Sequence, residues 1–220
     1  MNFQKFAQNA LAVTVLLIHT SFVQAGIILS LVSTSNSIDL SVNPVQQFVI
    51  GVRAQADTGT QDLFGYTIPV DLRNPIGTGT PPGWTVLSVA RTSNFGGALY
   101  TPNLSPSEGD VSASETRTSG TPFTFTTTPV TLFEFTVQVS RNGAVDGTYV
   151  ASIFNNGSLF ALNNSSAGGT LPANQISTGT VSVQIVGVPE PSSLAFLGIT
   201  AVLGLGISTS RLNRKRHRIG

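Results

Sequence analysis

Between Gly26 and Gly187 apolar side chains recur at every second position, and no stretch keeps a 3.6-residue apolar period for three turns. Ile38, Leu40 and Val42 alternate with Asp39 and Ser41. Phe48, Ile50, Val52, Ala54 and Ala56 alternate with Val49, Gly51, Arg53 and Gln55. Phe64, Tyr66, Ile68, Val70 and Leu72 alternate with Gly65, Thr67, Pro69 and Asp71. Each segment has one dry face and one mostly wet face, as antiparallel sheets packed in two layers require. Pro69 has no N–H to give, so its strand is expected at an edge or with a bulge.

The same rhythm predicts strands at Trp84–Ala90, Phe123–Thr127, Val130–Val139, Thr148–Phe154 and Val181–Val186, with an opening strand at Ile27–Leu31. In the longest, Phe133, Phe135, Val137 and Val139 face one way and Glu134, Thr136 and Gln138 the other. Eight or nine strands with Gly-, Pro- and Asn-rich joints predict an all-β chain, a two-layer antiparallel β-sandwich of the immunoglobulin or jelly-roll kind. Two connections are long, Asn74–Gly83 and Arg91–Pro122. The second exceeds the roughly 12–15 residues at which a structureless loop becomes unusual, and calls for a short strand near Ala98–Tyr100 or a binding loop.

The two ends read as addresses. Residues 1–25 have a small basic start at Lys5, an apolar run Ala10–Ile18 and small residues at Val23-Gln24-Ala25, the pattern of a cleavable signal peptide. At the other end, Val188-Pro189-Glu190-Pro191 breaks any strand. Residues 192–210 follow without a charge, then a basic tail, 211–220, with Arg211, Arg214, Lys215, Arg216 and Arg218. As a helix the uncharged run would be about 28 Å long, close to the hydrocarbon thickness of a bilayer. The basic cluster would hold the tail in the cytoplasm and the body beyond the membrane.

Residues 188–218 resemble the PEP-CTERM protein-sorting domain of Gram-negative bacteria in all three parts and in order. The resemblance implies recognition by an exosortase near Pro189, Glu190 and Pro191, after a signal peptidase has acted at the other end. The precursor would be a single-pass inner-membrane protein with its body in the periplasm. The body, residues 26–187, would then pass to the cell envelope, surface or extracellular matrix, in bacteria that usually make exopolysaccharide.

Charge sharpens the picture of the body. Residues 26–187 hold five basic side chains against nine acidic ones, a net charge of −4 under an overall balance of +1. Both histidines, His19 and His217, lie outside it, and the chain has no cysteine. Disulfides, thiolate metal sites and Ser–His or Cys–His catalysis are thereby excluded from the body. The arginines are scattered singly, which does not make the clustered patch that nucleic acid needs. Serine and threonine make up 41 of the residues from 26 to 187, which keeps a weakly charged surface soluble.

Three kinds of chemistry remain. Calcium takes six to eight oxygens in irregular geometry, and Asp57-Thr-Gly-Thr-Gln-Asp62 and Glu108-Gly-Asp110 are the candidate acidic turns. A glycan surface needs exposed rings, and Trp84 and Tyr100 adjoin the long connections. Two carboxylates could hydrolyse a glycosidic bond, although no spacing forces any pair together and Glu108, Asp110 and Glu115 read as solvated acids of one loop.

The stretch Val42-Asn-Pro-Val-Gln-Gln-Phe-Val-Ile50, Leu63–Leu72 ending near Asp71, Leu132–Val139 and Asn142–Tyr149 resemble the cohesin-type sandwich over residues 27–187, a fold close to carbohydrate-binding modules. The expectation is therefore a non-enzymatic, exported structural or adhesive protein associated with exopolysaccharide or a surface protein, with no cofactor. A secreted carboxylate glycan hydrolase and a cohesin-like protein-binding module are the alternatives.

Overall fold

The computed structural model describes residues 25–73, 81–92, 94–105, 109–118, 120–155 and 158–188. The chain enters through β1 (Ile27–Ser33), β2 (Ser37–Asp39) and the long β3 (Val45–Ala56). β4 (Gln61–Leu63), β5 (Gly65–Arg73) and β6 (Trp84–Arg91) follow, then β7 (Leu99–Asn103), β8 (Val111–Thr116) and β9 (Phe123–Phe125). β10 (Val130–Ser140), β11 (Gly147–Ile153), β12 (Ala161–Asn163), β13 (Ile176–Thr178) and β14 (Thr180–Val186) complete it.

Two sheets face one another. One runs β13-β1-β3-β10-β6; the other runs β2-β14-β11-β5-β8-β7, with β12 also on β5. Phe48, Ile50, Val52 and Ala54 of β3 meet the inner residues Tyr66, Ile68, Val70 and Leu72 of β5 in one buried core. The alternation that predicts these strands is thus the alternation of core and surface. β4 and β9 form a small third pair beside one end of the sandwich.

The expected fold is corrected in several places. The sheets are not purely antiparallel: β1 pairs with β13, and β14 with β2, in parallel. The expected strand through Leu40 and Val42 stops at Asp39; Leu40 is buried in a turn and Val42 is 78% exposed. The connection Arg91–Pro122 contains two strands, β7 and β8.

Pro69 is not on an edge strand. β5 lies between β8 on one side and β12 plus β11 on the other, and Pro69 falls where those last two change over. Its carbonyl accepts from Phe154 N–H at 2.9 Å on that side, so the missing N–H faces the changeover, where no regular ladder partner waits.

Two bulges shape the five-stranded sheet. In β10, Leu132 is the extra residue opposite β3, which lets Leu132 and Phe133 both be buried although they are adjacent. In β6, Leu87 is the extra residue opposite β10, and it is 40% exposed.

The expected C-terminal transmembrane helix is also corrected, and with it the single-pass inner-membrane precursor. A span takes about 20 consecutive apolar residues in one helix, and no helix among the described residues is long and apolar enough to cross a membrane. The helical element described is a single 3-10 turn, Ala173–Gln175. Residues 1–24 of the expected signal peptide 1–25, the motif Pro189–Pro191, the run 192–210 and the tail with Arg211, Arg214, Lys215, Arg216 and Arg218 lie outside the described residues.

Candidate functional site

Glu115 is the least expected residue of the body. It is fully buried on β8, not solvated in a loop. The reason is register: Val111, Ala113 and Glu115 share the inner face of β8, and Glu115 stands directly between Tyr66 of β5 and Tyr100 of β7. Burying a lone carboxylate is costly, so partners must meet it. Tyr66 Oη–H donates to Glu115 Oε2 at 3.0 Å, and Gly97 N–H donates to Oε1 at 2.7 Å.

The charge is met from the opposite sheet. Arg91 ends β6 opposite Phe133, on the inward side, and its Nη2 lies 2.5 Å from Glu115 Oε1. The same guanidinium donates to the Gly97 carbonyl. A Cβ at Gly97 would stand 2.5 Å from Glu115 Cγ, so a glycine is needed for the loop to approach this closely. The node therefore bolts the edge strand β6 of one sheet to β8, next to the edge strand β7, of the other.

Burial, and then the Glu115 charge, push both neighbouring phenols upward: Tyr66 far above its ordinary value, and Tyr100 to about 12. The Tyr100 hydroxyl is buried with no hydrogen-bond partner among the described residues. Burial also raises Tyr149, whose hydroxyl donates to the Val145 carbonyl at 2.6 Å. A raised phenol keeps its proton in the folded chain after the unfolded chain, near pH 10, has lost it. Stability is thus expected to fall as pH rises above about 10, by up to about 1.4 kcal/mol per pH unit for each such tyrosine. Urea unfolding across that range, with Tyr100→Phe removing one proton's worth of slope, checks this; an unchanged slope would refute it.

Beside the node lies an aromatic group: Phe95 tilts against Tyr66 (5.2 Å, edge-on), and Phe123 and Phe125 pack on Phe95. Arg117 sits 5.8 Å over the Phe95 ring and donates to the Thr121 carbonyl at 2.9 Å. The polar loop after β6 is fixed to the Leu132 bulge, where Asn94 Nδ2 donates to the Thr131 carbonyl at 3.1 Å and Thr92 Oγ1 to the Leu132 carbonyl at 2.8 Å.

The structure separates the residues singled out in the sequence. Trp84 is 7% exposed and packs edge-on to Phe48 and against Tyr149, so its ring is part of the core. Tyr100 points inward at Glu115. Asp57 Oδ1 accepts from Gly26 N–H at 2.7 Å, and that bond holds its carboxyl below the usual range. Asp62 Oδ1 accepts from Thr124 Oγ1 at 2.6 Å, and Asp110 Oδ2 from Leu72 N–H at 2.7 Å. Glu108 lies outside the described residues. No group of three or more His, Cys, Asp or Glu that could hold a metal is found among the described residues.

Two surface hollows are not built from any of these. One, of about 180 Å³, is lined by Asn155, Phe160, Leu162, Leu171 and Ile176. The other, of about 430 Å³ and more open, is lined by Arg53, Asn94, Phe123, Pro129, Val130 and Thr131. Sequence reasoning missed the second because its residues come from β3, the loop after β6, β9 and the bulged start of β10.

No family model matches the chain, and no curated protein matches it. Solved structures that superpose on it are cohesin structures. A chain of the type I cohesin–dockerin complex Coh-OlpA–Doc918 from Clostridium thermocellum is 9% identical and covers 72% of this chain and 99% of its own, with a TM-score of 0.49. CaCohA2 from Clostridium acetobutylicum is 11% identical over 72% and 92%, at 0.47. The seventh ScaB type I cohesin from Pseudobacteroides cellulosolvens is 8% identical over 76% and 96%, at 0.44. The likeness is loose in sequence and in superposition. The PEP-CTERM resemblance of residues 188–218 is corrected by the same comparisons, since no family model matches there. Exosortase processing accordingly drops out of the reading.

Proposed function

We propose that this chain is a non-catalytic, protein-binding β-sandwich module that engages its partner through the outer face of the five-stranded sheet. The observation that carries this reading is the character of that face. Val32 of β1, Val49 and Gly51 of β3, Thr136 of β10 and Ser88 of β6 share it by register, and Leu87, the extra residue of the β6 bulge, is exposed beside Ser88. Val32 and Leu87 are 38% and 40% exposed, and Gly51 adds no side chain above the sheet. Among its described residues the charges are Arg53 and Glu134.

A broad, nearly uncharged sheet face with hydroxyls for hydrogen bonds has the character of an interface centre, where charged residues are depleted. The carboxylates favour binding over hydrolysis as well. Asp57, Asp62, Asp110 and Glu115 each hold a backbone or hydroxyl donor of their own fold, and neither surface hollow is lined by an acid.

The full chain, used as bait in its source cells, is expected to retain a partner that is lost on Val49→Arg or Thr136→Arg. The same partner should survive Thr148→Arg, which adds the same charge at an exposed position of β11 on the other sheet. Equal retention by all three variants would refute the reading.

A further inference from the structure

The larger hollow lies at one end of that sheet face, where β10 begins. Its floor is β3 and β10, which both have strands on either side, β1 and β10 for one, β3 and β6 for the other. An incoming peptide has no free strand edge here to pair with. Whatever binds must be read by side chains. Those available are a guanidinium (Arg53), an amide (Asn94), a hydroxyl (Thr131) and apolar walls from Phe123, Pro129 and Val130.

Arg53 is the informative member. It projects outward from β3 between Ser30 of β1 and Thr131 of β10, and it is half-buried. Among the described residues no hydrogen bond or ion pair engages its guanidinium, unlike Arg91, Arg117 and Arg141, each of which is spent on a backbone carbonyl or on Glu115. Glu134 is the carboxylate that shares this face, but it stands opposite Gly51, one outward position away along β3, and makes no ion pair with Arg53. A planar fork of donors left open in a hollow suits a carboxylate that can take two bonds at once.

The rest of the hollow is suited to a polyhydroxylated body carrying that carboxylate. The Asn94 amide already gives one hydrogen to the Thr131 carbonyl, which fixes its orientation and leaves its oxygen as an acceptor. Phe123 is propped by Phe125 and Phe95 at ring distances of 4.6 and 5.5 Å, a rigid apolar wall. A volume of about 430 Å³ falls within the usual span for small-ligand sites.

We infer that this cleft binds an acidic saccharide, with Arg53 taking the carboxylate of a uronic acid unit, Asn94 and Thr131 reading hydroxyls, and Phe123 and Pro129 covering the apolar side of the ring. The inference goes beyond the sheet-face reading and stands independently of it.

Calorimetric titration of the full chain with trigalacturonate tests it. Binding is expected, with Arg53→Ala and Arg53→Gln both weakening it roughly ten- to a hundredfold, the worth of a charge-assisted pair of hydrogen bonds. Arg53→Gln keeps the stem across the sheet, so a loss shared by two variants with wild-type thermal midpoints is a loss of recognition. Methyl-esterified trigalacturonate should bind as poorly as the acid binds to Arg53→Ala, and added salt should weaken the acid. No binding of trigalacturonate, equal binding of the ester, or indifference to both Arg53 variants overturns the inference. So does Arg53-dependent binding of tetraglutamate at equal or greater strength, which would make the ligand a protein carboxylate.

Discussion

Arg91→Met is expected to lower the unfolding free energy of the full chain by about 2–3 kcal/mol in urea titration. Removing one member of a fully buried ion pair costs roughly 3–5 kcal/mol, because the other charge is left in the dry interior. Glu115 meets that description at 0% exposure, while Arg91 is 36% exposed, so water already shares the arginine and the lower figure applies. Adding Glu115→Gln in the same chain should return most of the loss. With its oxygen in the Oε1 position the amide still accepts from Gly97 N–H, its NH2 can donate to the Tyr66 hydroxyl, which turns to the Leu132 carbonyl, and no charge remains to be compensated. Glu115→Leu should recover less, since it strands both donors. If Arg91→Met changed stability by under about 0.5 kcal/mol, the range of an ordinary surface substitution, the inter-sheet bolt would be discarded.

Gly83→Ala is expected to cost about 3 kcal/mol, read as a fall in urea midpoint without a change in slope. Gly83 has φ of +77°, where an L side chain is strained. Its Cβ would also stand 2.5 Å from Ala144 N and 2.7 Å from the Ser140 carbonyl oxygen. These are backbone atoms of the turn after β10, and the Gly83 carbonyl accepts from Ser140 N–H at 2.8 Å, so the two segments cannot part without losing that bond. Trp84 follows directly and would be drawn off Phe48 and Tyr149. A variant as stable as the wild type would mean that the turn can shift at no cost.

The long strands were legible because a strand of eight or more residues repeats its alternation often enough to exclude other periods. β3, β5 and β10 are such strands, and their inner faces are the residues that the alternation names. β2, β4, β12 and β13 are three residues each, too short to repeat anything. β7 stands where a short strand near Ala98–Tyr100 was one of two expectations, but β8 was hidden by composition, since Gly96, Gly97, Pro102 and Pro106 gave the stretch the look of a loop. Yet Val111-Ser-Ala113-Ser-Glu115 alternates, and that alternation places Glu115 inward. Charge was taken as a sign of solvent there, when an inward carboxylate with an inward arginine elsewhere is also a solution.

The candidate sites fared differently. Trp84 could serve as a stacking ring or a core ring from its place at a strand start beside a Pro- and Gly-rich loop, and one residue of strand is enough to turn the indole inside. The Arg53 cleft had no signature of its own. It depends on the bulge at Leu132, an extra residue whose effect on pairing appears once partner strands are known.

The parallel pairings β1–β13 and β2–β14 bear on how the module would behave under tension. Each joins one of the first two strands to one of the last two through three residue pairs. A pull that draws the N-terminal end of β1 backward and the C-terminal end of β14 forward runs along these strands in opposite senses. Their hydrogen bonds would then be sheared together, sharing the load, where an antiparallel hairpin pulled from its open end unzips one bond at a time. A binding module placed between two anchored neighbours in its own chain or assembly would therefore present its strongest direction to the force.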